Sequence, residues 1–376
     1  MTSGESAPPM MHDFFLASLL PAVFHSQNPE IIGRIFSKID EYDLPHDSIR
    51  FSLSESHDGK SVRGSLDLLT FEERMVLTEA VTANRGWVKY KSIPVRECPK
   101  AEFIRFCVEN GIDTETAAGL LFKPAENERL VLLDEIKTID DILSTSADNN
   151  LITGEVAEFF FRRIIEGRDP YELCISTRDS LPSLSDDDLE LERFLAFETL
   201  AFAIMGRNVK TIYFNDLLAL PNDHRRVAAT GELRNIKRTK VNLDELQPKL
   251  EYKNSFESRV VKGINNLIAL VDSDPALHFR GEEAKLLSME KPKPAALIYN
   301  SCNDEKSLCA VNLSGETITL AVNAVDAGFA GASSLVDNFS GRTLSIIDGK
   351  IDLMLEAYGR IWLSLKAVDI PQELLV

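Results

Sequence analysis

Several things are scarce in this chain. Of 376 residues only five are cysteine (Cys98, Cys107, Cys174, Cys302 and Cys309), an odd and scattered set with no Cys-x-x-Cys spacing. That argues against a disulfide framework or a zinc knuckle and for reduced, mostly buried thiols, as in a cytoplasmic protein. Long apolar runs are missing too. The most apolar stretch, Phe194 to Met205, contains Glu198 and is too short to span a bilayer. Residues 10–24 are apolar, but no basic segment precedes them and His12 and Asp13 interrupt them, so they do not read as a signal peptide. Basic residues are in deficit: 41 Lys plus Arg against 59 Asp plus Glu leave a formal charge of −18. Such a surface repels phosphate backbones and anionic lipid, which sets aside nucleic acid and membrane as partners. There is no GxGxxG, P-loop, HExxH or GxSxG motif, and the six histidines are dispersed. The sequence therefore indicates no metal site and no cofactor.

What is present is an ordinary globular composition long enough for two or three domains. The first part alternates helical and strand-like segments. Leu16–Phe24 and Glu30–Ile39 read as helices, and Ile49–Ser56 reads as a strand running into a His57-Asp58-Gly59 turn. Thr70 with Glu73 three residues on forms a capping box for the next helix, which stops near Gly86. Trp87–Ile93 is β-like. Residues 97–168 carry helical pieces and polar connectors but no chemical motif, as an insertion would. A long helix capped at Ser185 runs to about Gly206, Val209–Leu218 is a buried-type strand, and Asn254–Val271 is amphipathic. Strand and helix in alternation imply parallel α/β units. From about Leu286 the apolar period becomes two: Ile318, Leu320 and Val322, then Ile351, Leu353 and Leu355, with Ser-Gly and Asp-Gly turns between. A small antiparallel β domain is expected there, with a loose tail from Ile370.

Three polar clusters could carry chemistry. His57 and Asp58 follow a strand, and in parallel α/β folds sites gather at the carboxyl ends of strands. A His-Asp pair there can bond sugar hydroxyls, and the carboxylate can stabilise developing positive charge. Taken alone, however, His-Asp-Gly is more often a plain turn. Asn222, Asp223, Arg234 and Arg238 lie in the loops after the next strand, where arginines could grip phosphate or carboxylate, or simply form a solvated basic loop. Tyr171 and Glu172 follow Pro170 and fit either a site rim or a surface turn.

In order along the chain, five segments resemble the C-terminal half of the sucrose phosphorylase-like branch of the α-amylase superfamily, glycoside hydrolase family 13. They are SESHDGKSVRG (54–64), PYELCISTRDSL (170–181), VKTIYFNDLLALPND (209–223), GELRNIKR (231–238) and VDNFSGRTL…LEAYGRIWL at the end. The resemblance implies about the last three βα units of a (β/α)8 TIM barrel followed by an antiparallel β-sandwich domain. The divisions would be 1–96 and 169–275 for the barrel, 97–168 for an insertion and 276–376 for the β domain.

It also implies a retaining α-glucosyl-transferring chemistry with an α-glucoside such as sucrose as substrate and inorganic phosphate as co-substrate. Asp58 would be the transition-state-stabilising carboxylate, with His57 beside it and Arg63 following. Tyr171 and Glu172 would line the acceptor side together with Arg234 or Arg238, which of the two being left open, and Asn222 and Asp223 would belong to the loop after strand eight.

The departures matter as much. The family's Arg-x-Asp nucleophile segment and its Glu acid segment are both absent, and Glu55, Cys174 and Lys237 stand where relatives carry other residues. Double displacement needs both carboxylates. The chain is therefore expected to be inactive alone and to need a separate N-terminal half of the enzyme. The rival expectation is a non-catalytic sugar-binding or regulatory descendant that keeps the surface at His57, Asp58 and Arg63.

Overall fold

The computed structural model describes residues 10–41, 49–62, 68–92, 168–206, 208–278, 283–289 and 291–371. It adds short pieces at 65, 97–99, 104, 107–108, 113–125 and 129–132. Arg63, most of the expected insertion at 97–168 and the tail past 371 lie outside the described residues. Two compact units emerge, one made of Met1–Trp87 with Leu173–Val376 and the other of Val88–Glu172. In the smaller unit the strands Glu97–Pro99, Arg129–Leu132 and Phe122–Ala125 form an antiparallel sheet in that spatial order. Its helix Thr114–Leu121 is capped by the Asp113 side chain.

The larger unit opens with a parallel sheet, β1 (Met10–Asp13), β2 (Ile49–Leu53) and β3 (Val209–Thr211), in the order β1-β2-β3. Parallel neighbours need long crossovers, and helices supply them. Between β1 and β2 run α1 (Leu16–Ser26) and α2 (Glu30–Asp40); between β2 and β3 come α3 (Phe71–Ala83) and α4 (Asp187–Met205). The capping box of α3 is formed in both directions: Glu73 N donates to Thr70 Oγ1 at 3.2 Å and Thr70 N donates to Glu73 Oε2 at 2.8 Å. The same Glu73 takes both bonds of Arg34, at 2.6 and 2.7 Å, and so fastens α2 to α3.

Among the boundaries that differ from those read in the sequence, two have a visible cause. Asp186, not Ser185, caps α4, its Oδ1 accepting from the amides of Asp188 and Leu189 at 2.9 Å. A carboxylate is also the better partner for the positive end of the helix dipole. From Leu191 to Met205 α4 is buried almost all round, which is why it shows no clean polar face. The strand expected to reach Leu218 stops at Thr211, and Asp216–Leu218 is a 3-10 turn instead. Asn215 withdraws the chain from the ladder by donating its side-chain amide to the Lys237 carbonyl at 2.7 Å.

After β3 come α5 (His224–Thr230), α6 (Leu243–Glu251) and α7 (Phe256–Ser273), the last burying Val260, Ile264, Leu267, Leu270 and Val271.

The β domain is an eight-stranded antiparallel sheet. Its strands are β4 (Glu283–Leu286), β5 (Ala295–Cys302), β6 (Glu305–Asn312), β7 (Ile318–Asn323), β8 (Ser334–Asp337), β9 (Thr343–Ile347), β10 (Lys350–Leu355) and β11 (Arg360–Ser364). The spatial order is β4-β5-β6-β11-β8-β9-β10-β7. The register sets Ile318, Leu320 and Val322 opposite Leu355, Leu353 and Ile351, so the period-two residues share one face. Leu297 and Tyr299 from one side of the sheet share a core with Leu320 and Leu353 from the other, so the sheet curls over its own interior. Buried Trp362 on β11 donates its indole N–H to Asp274 Oδ2 at 2.8 Å, tying this domain to the residue that ends α7.

Gly328 sits at φ +81°, and a Cβ there would fall 2.5 Å from the Tyr299 ring; Gly331, at φ +78°, has open space around it. Gly328→Ala is therefore expected to cost about 1–3 kcal/mol in urea unfolding, from overpacking added to backbone strain. Gly331→Ala should cost less. Equal losses would assign the effect to the backbone alone.

Candidate functional site

The loop leaving β2 brings four of the expected residues together. Asp58 is half exposed, at 51% of its side chain, and its Oδ1 accepts from Arg234 Nη1 at 3.1 Å and from Arg238 Nη2 at 3.3 Å. Arg238 Nε also donates to the His57 carbonyl at 2.7 Å, so one guanidinium grips both residues of the pair. The His57 ring is exposed, with Nε2 3.8 Å from the same Asp58 oxygen. The loop is shaped locally: Asp58 N donates to Ser56 Oγ at 3.2 Å, an ST turn. Exposed ion pairs are worth roughly 0–1 kcal/mol, so this arrangement orients Asp58 more than it stabilises the fold.

Beneath this exposed layer lies a buried one. Glu55, three residues before Asp58, is inaccessible to water; Lys60 Nζ bonds its Oε2 and Lys237 Nζ bonds its Oε1. Thr177 Oγ1 stands 3.1 Å from Glu55 Oε2 and 3.1 Å from Asp216 Oδ2. Further in, Ser54 Oγ donates to Glu198 Oε2 at 3.2 Å, while Glu198 Oε1 is buried without a hydrogen-bond partner among the described residues. Burial works against an ionised Glu55, but the Lys237 and Lys60 charges outweigh it and hold the carboxyl below its ordinary value. Burial and the Glu55 charge push Asp216 up to about 7. Burial, with the Asp216 charge next, holds Glu198 well above the usual carboxylate range. The same burial lowers Lys237.

Of the other expected residues, Asn222, Asp223 and Glu172 have structural partners, while Tyr171 is exposed. Asn222 is fully engaged: its Oδ1 accepts from Ser176 N at 2.8 Å, its Nδ2 donates to the Asn84 carbonyl at 3.2 Å, and its amide donates to Asp179 Oδ2 at 2.6 Å. Asp223 caps α5, accepting from Arg226 N at 2.9 Å. Tyr171 and Glu172 belong to the smaller unit, where buried Glu172 pairs with Lys89 at 3.2 Å. Among the described residues no group of three or more His, Cys, Asp or Glu side chains is placed to hold a metal ion, and no helix is long and apolar enough to cross a membrane.

Sequence reasoning missed Lys60, Thr177, Asp216 and Glu198. Two signals pointed to them: the polar residues Ser52, Ser54 and Glu55 where a barrel strand should be apolar, and a lone Glu198 inside an apolar helix.

No family model matches the chain. Among curated proteins, glucosylglycerate phosphorylase from Allomeiothermus silvanus is 28% identical over 128 residues, a stretch equal to 33% of this chain and 23% of that protein. Among solved structures, AmyP in complex with maltose superposes at a TM-score of 0.52 with 14% identity, over 98% of this chain and 52% of its own. Sucrose 6F-phosphate phosphorylase from Thermoanaerobacter thermosaccharolyticum gives 0.49 and 14%, over 93% and 48%. The chain thus spans about half the length of these structures, and its matched stretch less than a quarter of the curated relative. The fold is that of part of a (β/α)8 barrel followed by a C-terminal antiparallel β domain. By sequence the chain resembles, over that matched stretch, the sucrose phosphorylase-like enzymes.

Removing one partner of a buried ion pair strands the other, at a cost of about 3–5 kcal/mol. Glu55→Ala is expected to lose that much in urea unfolding, because two buried ammonium groups remain. Changing Glu55 to Leu together with Lys60→Met and Lys237→Met should be close to neutral. A small loss in the single variant would mean that water replaces the carboxylate.

Proposed function

We propose that this chain supplies the substrate-orienting and transition-state-stabilising part of a retaining α-glucosyl-transferring site of the sucrose phosphorylase type, and that it transfers no glucosyl group by itself. The observation that carries the reading is Asp58, an accessible carboxylate just beyond the end of a parallel strand, flanked by His57 and two arginines. In this reading Asp58 holds sugar hydroxyls and opposes the positive charge of an oxocarbenium-like transition state, and His57 bonds a neighbouring hydroxyl. Arg234 or Arg238 serves the acceptor or phosphate side, with Asn222 and Asp223 shaping the loop beside them and Arg63 as a further substrate contact of the same reading. The ligand is an α-glucoside such as sucrose, with inorganic phosphate as co-substrate and a cytoplasmic setting. The divisions 1–96, 97–168, 169–275 and 276–376 belong to the same reading.

Double displacement needs a carboxylate that attacks the anomeric carbon and an acid that protonates the leaving oxygen. The motifs that carry them in the family are absent from this sequence, so a separate N-terminal half of such an enzyme is the implied partner. A second reading, a non-catalytic sugar-binding or regulatory descendant, is favoured by one feature. Both guanidiniums already engage Asp58 Oδ1, which weakens the negative field the carboxylate offers to a cationic transition state.

Incubated with sucrose and phosphate, the purified chain is expected to release no glucose 1-phosphate; release would contradict the proposal. Adding the N-terminal half of a related phosphorylase separates the readings. Restored release supports the enzyme part, and sucrose binding that is lost in Asp58→Asn, without restored release, supports the descendant.

A further inference from the structure

The Thr177 hydroxyl stands at equal distance, 3.1 Å, from two carboxyl groups, Glu55 and Asp216. A hydroxyl has one proton and donates one hydrogen bond; toward any further group it can only accept. Two ionised carboxylates therefore cannot both be satisfied by it. One arrangement meets both distances: Asp216 as the acid donates to Thr177 Oγ1, and Thr177 donates to ionised Glu55. The charge falls on Glu55 because both buried lysines bond it.

Lys237, drawn to Glu55, lies at the end of the 3-10 turn Leu233–Lys237, which carries Arg234 and is followed by Arg238. Its carbonyl accepts from Asn215 Nδ2 at 2.7 Å and from Tyr213 Oη at 3.2 Å, so little else in that turn can shift while Lys237 stays put.

We propose that Asp216, Thr177 and Glu55 form a proton-dependent latch which, through Lys237, positions Arg234 and Arg238 on Asp58. Loss of the bridging proton frees the two arginines from Asp58. The consequence for sugar chemistry rests on the reading of Asp58 as the functional carboxylate, while the latch and its test do not. All four are positioning residues.

The charged and titratable groups facing Asp216 are Glu55, Lys60, Lys237, Glu198 and Tyr213. Glu55 favours the acid form. Lys60 and Lys237 oppose it but are outweighed by burial, which with Glu55 brings Asp216 up to about 7. Glu198 is itself held well above the usual carboxylate range, by burial first and then by the Asp216 charge. An Asp216 raised above its ordinary 3.8 favours the latched state fully below that value. The advantage declines as pH rises and is gone above the raised value.

Amide hydrogen exchange on the whole chain between pH 5 and 8, corrected for the intrinsic pH dependence, reads this directly. Protection of residues 233–238 is expected to fall as pH rises from 5 to 7, by at most about tenfold per pH unit for one proton, and to level off above 7. Asp216→Asn, whose amide donates as the acid does, should remove this dependence. Thr177→Val should lower protection at pH 5 to the wild-type level at pH 8, and Thr177→Ser should restore it, so the test stands even if Asp216→Asn fails to fold. Protection independent of pH in the wild type, the same slope in Asp216→Asn, or an equal fall at residues 350–355 in the β domain would overturn the latch.

Discussion

Glu55 has no access to water, and each of its oxygens is bonded by a different lysine. An uncompensated charge in such a place is intolerable to a fold, so the pairing fixes three separate stretches of chain at once: the end of β2, the loop carrying Lys60, and the turn ending at Lys237. Thr177 adds a fourth, from the segment that precedes α4. Most of what is distinctive about the surface above follows. Asp58 stands three residues beyond Glu55 and Arg238 one beyond Lys237, so a bond in the interior is repeated as a bond at the surface.

The two layers have different physics. The inner ion pairs lie in a low dielectric, where geometry must be nearly ideal and removing one partner is severe. The outer pair, Asp58 with its arginines, is screened by water and easily exchanged for another anion or hydroxyl. In the proposed reading, a paired inner layer and a screened outer contact suit a carboxylate that must hold one orientation and still yield to a ligand.

Much of the architecture was legible because local rules agreed with the global fold. Thr70 and Glu73 announced a helix start that is formed in both directions, and the alternation of Ile318, Leu320 and Val322 announced a strand whose register is the one it implied. The strand expected to run to Leu218 stops at Thr211, because an apolar run alone does not extend a ladder, and Asn215 beyond it bonds across to Lys237. The inner layer was legible only as a misfit, Glu55 in a strand and Glu198 in an apolar helix. Nothing in linear spacing says that residues 55, 60, 177, 216 and 237 converge, because a hydrogen bond across 122 residues and an ion pair across 182 have no periodicity. His57 and Asp58 were legible through resemblance, and the arginines that engage Asp58 are two of those named beforehand without a choice between them.

The most direct measurement is a double-mutant cycle between Glu55 and Lys237, using Glu55→Gln and Lys237→Met and reading unfolding free energy in urea. If the pairing organises this part of the molecule, the two substitutions should couple by about 1–3 kcal/mol, the double variant losing less than the sum of the singles. Losses that add to within about 0.5 kcal/mol would show that the two side chains act independently, and would contradict the account.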